Sequence, residues 1–236
     1  MTNPGRRYGD PCGIARALDV VGERWALLIV RELLLGPRRF GQLRAGLPDL
    51  SPNVLTQRLR ELADAGIVER SVLEPPASVT VYELSERGRA LEPVLLELGR
   101  WGSETPRIGG REMSTASLLV ALKTMFDPTT DATVTYVLRI GDEAFTVAIA
   151  DGSIDVRRGA DPDAAAELAA DVTTFRMIVF LGTGVRAAEH AGALTIAGDR
   201  RVAARFPAYF RAPAAREAGG VSSPARSARP SGRRHR

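Results

Sequence analysis

Cysteine is all but missing from this sequence. Cys12 is the one thiol in 236 residues, which excludes an internal disulfide framework and a zinc cluster built on cysteines. Histidine is nearly as scarce, with two. His190 lies between Glu189 and Ala191, where it reads as a surface helix residue, and His235 falls near the end of the chain. No H-E-x-x-H, P-loop or G-x-S-x-G motif occurs, so no catalytic group, metal or cofactor is expected, and an enzyme is disfavoured. Long hydrophobic runs are missing too. The longest, residues 26–30 and 177–181, are core-sized, so no membrane span is expected. The opening MTNPGRRYGD carries no apolar stretch, so no secretory signal is expected and the protein reads as cytoplasmic. No internal repeat is found.

Excess charge is also less than it looks. The net charge is +4 over the whole chain, yet residues 1–106 are neutral and residues 112–211 carry −3. The positive balance comes from residues 212–236, at +5, and from two arginines at 107 and 111. Global charge is therefore no sign of nucleic-acid binding, and such a reading needs a local cluster.

What is present divides into five stretches. Residues 1–11 are polar and expected to be flexible. Residues 12–105 form a periodic, mostly helical region. Residues 106–112, PRIGGRE, read as a linker, since Pro106, Gly109 and Gly110 interrupt any element. Residues 113–211 form a second periodic region. Residues 212–236 hold almost no large apolar side chain and cannot offset their ordering entropy, so a disordered basic tail is expected.

Within the first region, Ile14, Leu18 and Val21 share one helix face, and a second helix is expected over 24–35, stopped by Gly36 and Pro37. A short helix follows at 40–44. Ser51 and Pro52 have the chemistry of a capped start, for a helix running to Ala65 and stopped by Gly66. Residues 67–73 and 79–84 read as a hairpin, and Ser85 caps a last helix over 86–103. On the helix begun at Pro52, at 100° per residue, Leu55, Leu59 and Leu62 fall together as a core face. Opposite lie Asn53, Thr56, Gln57, Arg60 and Asp64. The first four suit base edges and phosphates. Arg38, Arg39, Arg44, Arg58 and Arg60 against Asp49 alone give +4 over residues 38–60, the local cluster that global charge could not supply.

Residues 12–104 resemble the HxlR-type winged-helix transcriptional regulators. The resemblance is carried by ALDVVGERW (17–25), LLIVREL (27–33), GPRRFGQL (36–43), SPNVLTQRLREL (51–62), YELS (82–85), Gly88 and Trp101. It implies a homodimer, held by the first and last helices, that reads a palindromic operator. Arg24, Trp25 and the apolar residues of 27–33 are then scaffold. The implied DNA contacts are Arg38, Arg39, Ser51, Asn53, Thr56, Gln57 and Arg60, with Ser78 from the wing. The wing departs from the family pattern, because PPASV (75–79) has no basic residue and leaves Ser78 or backbone amides to touch phosphate. Cys12 stands where some family members carry a redox-sensing cysteine. Arg16, one turn on, could help its reactivity electrostatically, but the chain holds no second thiol to resolve a sulfenic acid, which leaves only a bridge between protomers or a mixed disulfide. The expectation is a small half-buried residue at a helix start that does not sense oxidants.

In the second region a helix is expected over 113–126. Alternation then marks strands at 133–140 and 144–150, and Asp151-Gly152 is a hairpin signal before Ile154 and Val156. Residues 177–187, MIVFLGTGVRA, contain G-x-G-x-x-A, with Asp199 downstream. A dinucleotide site is not expected, because the helix after the glycines is too short for a parallel crossover. Residues 113–210 resemble a sterol-carrier-protein-like domain, through the leading helix, the meander, and GALTIAGD (192–199) running into 202–210. That resemblance implies a strand at 166–170, where alanine content alone favours helix. It also implies an apolar tunnel, with candidate lining Leu122, Phe126, Tyr136, Leu138, Phe145, Phe175, Ile178, Val179 and Phe206. An apolar set alone does not separate a tunnel from a filled core.

The expected fold class is α+β: a mainly helical winged helix-turn-helix domain with a two-stranded wing, then an α/β sterol-carrier-protein-like domain with an antiparallel sheet. The expected function is a sequence-specific DNA-binding regulator, a homodimeric repressor whose second module either binds a small apolar effector or stabilises the dimer. The alternative is a lipid- or acyl-binding module tethered to a winged helix used for protein contacts. The tail generates a test of its own. Each arginine that meets a phosphate contributes about 0.9 to the slope of log K against log salt. Deleting residues 212–236 should flatten that slope and leave the preferred sequence unchanged, as measured by salt-dependent duplex titration.

Overall fold

A computed structural model of the chain describes residues 7–72, 79–105 and 112–211. Its first elements are α1 (Gly13–Val21), α2 (Ala26–Leu33), α3 (Phe40–Gly46), α4 (Pro52–Asp64), β1 (Val68–Val72), β2 (Thr80–Leu84), α5 (Glu86–Arg89) and α6 (Glu92–Ser103). This is the winged helix-turn-helix order. The hairpin tip, with Ser78, lies outside the described residues, as do residues 106–111 of the expected linker, most of the expected flexible N-terminus and the expected tail.

Local chemistry explains these elements. The Ser51 hydroxyl caps α4 by accepting the Val54 N–H, and Gly66 ends it at φ +69°. Leu55, Leu59 and Leu62 are buried with Ile29, Leu33 and Leu43 in one core. β1 and β2 pair antiparallel from Val68↔Leu84 to Val72↔Thr80, and Arg38 adds a single antiparallel bridge to Tyr82. The helix expected over 86–103 is two helices. Ala90 and Leu91 close the first by bonding back to Glu86 and Gly88. Pro93, in the first turn of α6, has no N–H to continue the ladder. A period of 3.6 carries through such a break, so the break is invisible to periodicity.

The second region holds α7 (Thr115–Met125), β3 (Val134–Ile140), β4 (Glu143–Ala150), β5 (Ser153–Arg158), β6 (Ala166–Ala169), α8 (Val172–Phe180), α9 (Val185–His190), β7 (Thr195–Gly198) and α10 (Arg200–Arg205), which runs into a 3₁₀ turn at Phe206–Tyr209. The turn between β4 and β5 has Asp151 at φ +51° and Gly152 at φ +65°, both positive as a type I′ hairpin requires. The sheet order is β5-β4-β3-β6-β7. The expected antiparallel sheet is in fact mixed, because β6 pairs parallel to β3. Residues 159–165 carry the chain to the open edge of β3. There the Ala165 N–H bonds to the Thr135 carbonyl at 2.9 Å, so the new strand starts beside the beginning of β3 and runs along it.

Residues 166–169 are a strand despite their alanines. Ala166 and Leu168 face the core, while Glu167 on the other face pairs with Arg139 at 2.5 Å. The G-x-G-x-x-A stretch opens no parallel unit: β7 returns antiparallel to β6, and Asp199 accepts the Arg201 and Val202 N–H groups at 2.7 and 3.2 Å as a helix cap. All nine candidate lining residues are buried in one contiguous core. Tyr136 meets Phe206 edge to face at 5.0 Å, and Phe206 meets Phe210 at 5.1 Å. The Tyr136 hydroxyl donates to the Val202 carbonyl at 3.0 Å, and burial pushes its pKa upward.

The two regions meet along α7, which lies against α2 and α6. Leu35, just beyond α2, is buried in the second core. Glu32 is buried and accepts hydrogen bonds from Arg31 at 2.7 Å and from the Ser114 hydroxyl at 2.7 Å. Gly46 makes room for that carboxylate, since a Cβ there would lie 2.4 Å from Glu32 Oε2. Lys123 pairs with Glu92, and Arg100 Nε donates to the Thr124 carbonyl at 3.1 Å. The burial of Val179 in the second core gives a direct test of whether that core is filled. Val179→Trp should overpack it and cost about 1–3 kcal/mol, read by denaturant unfolding.

Candidate nucleic-acid interface

The outer face of α4 is built by its inner one. Leu55, Leu59 and Leu62 anchor the helix on the core, which turns Asn53, Thr56, Gln57 and Arg60 to solvent, and all four are exposed. Two are already ordered by their own helix. The Thr56 hydroxyl donates to the Pro52 carbonyl at 2.9 Å, and Gln57 Nε2 donates to Glu61 Oε1 at 2.9 Å. Gln57 is thereby held in one orientation while its carbonyl oxygen stays available as an acceptor. Ser51, at the cap, is exposed, as are Arg39 and Arg44 on α3 and at its start. The Gln42 side chain accepts the Arg39 N–H at 2.8 Å, fixing the first turn of α3 beside the start of the turn-helix unit.

Two arginines of the local cluster do not join this face. Arg58 is buried. It donates to Glu23 at 2.9 Å and also pairs with Glu61, tying α4 to the loop between α1 and α2. In that loop Trp25 adopts φ +81°, with the Arg24 guanidinium 5.0 Å from its ring centroid. Arg38, expected at the DNA surface, is also buried, and its guanidinium donates to Glu143 of β4 at 2.8 Å. The reason is the fold: Arg38 bridges to the wing strand at Tyr82, and its side chain meets the second domain. The local charge counted along the sequence is therefore partly cancelled. Arg39, Arg44 and Arg60 supply the exposed guanidiniums around α3 and α4.

Sequence reading did not single out Arg70. It is exposed on β1, the strand that leads into the wing, and its place in that strand was the one available signal. The wing thus carries a cation even though 75–79 has none. Nor could the sequence flag Glu143, which becomes relevant only through the packing of β4 against the first domain.

Arg60 and Gln57 give the sharpest test of this face. Replacing either by Ala should cost roughly 1–3 kcal/mol of specific binding if it reads a base, measured by titration with a selected duplex. Equal affinity in both variants, with melting unchanged, would remove α4 from the interface.

Comparison with known proteins places α4 within a region of recognised family. The family described as HxlR-like helix-turn-helix matches residues 20–107. The regulator YvaP of Bacillus subtilis, named as an uncharacterized HTH-type transcriptional regulator, is 43% identical over 90 residues, 38% of this chain and 82% of that protein. A second so named, sll1512 of Synechocystis, is 40% identical over 102 residues, 43% of this chain and 76% of that protein. Among solved structures, the redox regulator HypR in its oxidized form is 34% identical with a TM-score of 0.39, covering 41% of this chain and all of its own. With over four-fifths of YvaP spanned at 43% identity, the chain belongs to the HxlR-like helix-turn-helix family.

Proposed function

We propose that this protein is a sequence-specific DNA-binding transcriptional regulator that acts as a homodimeric repressor on a palindromic operator. The observation that carries the reading is the outer face of α4, where Asn53, Thr56, Gln57 and Arg60 are exposed over a buried leucine stripe. The relatives named above as transcriptional regulators support it. No helix among the described residues is long and apolar enough to cross a membrane.

The dimer is supported by two helices that each leave apolar residues exposed. Of the nine residues of α1, Val21 alone is buried, and Ile14 is 73% exposed. A helix of that length is marginal in water without tertiary packing. On α6, Val94, Leu98 and Trp101 recur at helical spacing and are exposed, Trp101 at 72%. A second copy that covers both stripes would stabilise both. Cys12, expected to be half-buried, is exposed at the start of α1; it is read as a helix-start residue and not as a sensor, since the chain has no second thiol and only a bridge between protomers or a mixed disulfide could resolve its oxidised form.

For the second domain the reading is a filled core that braces the first, and the resemblance to sterol-carrier-protein-like domains keeps a small apolar effector as the competing occupant. A melting temperature that rises with a fatty acid would favour the effector.

The test is selection of genomic fragments with the purified full-length protein, followed by titration. A two-fold symmetric sequence bound well above random duplex supports the reading. No enrichment, with weak salt dependence, would leave the winged helix as a protein-contact module. Independently, Trp101→Glu should shift the protein from dimer to monomer in sedimentation while leaving the α4 face intact.

A further inference from the structure

The ion pair between Arg38 and Glu143 joins the DNA-facing unit to the second domain at an unusual place. Arg38 immediately precedes Arg39, the exposed residue that starts α3. Its backbone is pinned on both sides, N–H to the Tyr82 carbonyl at 2.9 Å and carbonyl to the Tyr82 N–H at 2.8 Å. The origin of the side chain is therefore fixed between α3 and the wing. The side chain itself is 9% exposed and reaches Glu143, which is 29% exposed. The pair thus lies at the rim of the domain contact, where a solvated anion can approach.

Glu143 has two cations. The oxygen that accepts from Arg38 also accepts from Arg158 of β5, whose guanidinium lies 5.0 Å from the Phe145 ring centroid. If Arg38 leaves, Glu143 keeps Arg158 and no buried charge is orphaned, which is what makes breaking most buried pairs costly. A phosphate offers Arg38 an equivalent charge-assisted bond. The other polar ties across the junction, Glu32 with Ser114, Lys123 with Glu92 and Arg100 with Thr124, involve no residue beside the α3 start.

Resting on the DNA-binding reading above, we propose that the second domain restrains DNA binding by holding Arg38 on Glu143, in competition with a DNA phosphate. By linkage, DNA that captures Arg38 loosens this domain contact, and whatever displaces the start of β4 favours DNA by the same factor. The second domain is then a brake on affinity that does not choose sequence.

The experiment uses the full chain and a random-sequence duplex of about 30 base pairs, titrated between 50 and 200 mM salt. Glu143→Gln should bind more tightly at low salt. Its log K against log salt should steepen by about 0.9, one phosphate's worth, or about 3.5-fold more loss across that range. Adding Arg38→Ala to Glu143→Gln should abolish the gain. Should Glu143→Gln fail to fold, Glu143→Asp keeps the charge, shortens the reach and should show part of the same gain. An unchanged slope in the Glu143 variant would overturn the proposal. So would a gain that survives Arg38→Ala, which would assign it to Arg158. A parent that binds no duplex at any salt would instead overturn the functional reading, and this inference with it.

Discussion

A single buried carboxylate organises the junction on which the arrangement of this protein depends. Glu32 projects from α2, the helix at the centre of the first core, yet it accepts a hydrogen bond from Ser114 at the cap of α7. Burying a carboxylate is costly unless its charge is met. Here it is met by Arg31 on its own helix and by the hydroxyl that starts the next domain. The same carboxylate fills the space that Gly46 leaves at the end of α3. One side chain thus fixes α2, the end of α3 and the beginning of α7 relative to one another. The apolar contacts of Leu35 and the polar ties of α6 to α7 extend that alignment along the junction.

The recognition helix is fastened from several directions, and each fastening leads to a different part of the molecule. Its leucine stripe sits on the first core. Arg58 ties it to Glu23, in the loop where Trp25 holds a left-handed backbone. Such a backbone costs of order 1–3 kcal/mol for a non-glycine residue and persists only where its surroundings enforce it. The loop descends directly from α1, the helix with the least packing. A movement of α1 against a second copy therefore has a short mechanical route to α4, through Glu23 and Arg58. The second domain has a separate route, through Arg38, to the start of α3. In the proposed dimer, partner and second domain would act on neighbouring parts of the α3–α4 unit.

Much of this was legible in the sequence where local chemistry decides structure. The serine cap and proline start of α4, the glycine that ends it, its leucine stripe and the Asp151-Gly152 turn all appear as read, because each depends on residues within a few positions. The strand at 166–169 was legible through resemblance and not through propensity, since ladder partners on both sides override the preference of alanine for helix. Three features were not legible. The break before Pro93 leaves the apolar period intact. The parallel pairing of β6 with β3 depends on which sheet edge is open, which alternation within a strand does not encode. The fate of Arg38 depends on Glu143, 105 residues away, so a charge count along the chain overstated the free cation at the α3 start. Among the DNA-face candidates, Arg39, Ser51, Asn53, Thr56, Gln57 and Arg60 are all exposed, because a strong core face leaves its opposite face no other place to be.

The insertion of Leu35 into the second core bears on how the chain matures. Synthesis proceeds from the N-terminus, and domains generally fold as units in that order. When α1 to α6 have left the ribosome, Leu35 has no core to enter and Glu32 has no Ser114 to accept from. The nascent first domain therefore shows water an apolar residue and a carboxylate that the finished protein hides. Its docking face closes only as α7 emerges, and the core that buries Leu35 is complete only once its last members, Phe206 and Phe210, have been made. The first domain is in this sense structurally premature for the second half of translation. A ribosomal pause after α6 has emerged and before α7 does would lengthen the interval in which that face is open to chaperones, or to the same face of a neighbouring nascent chain.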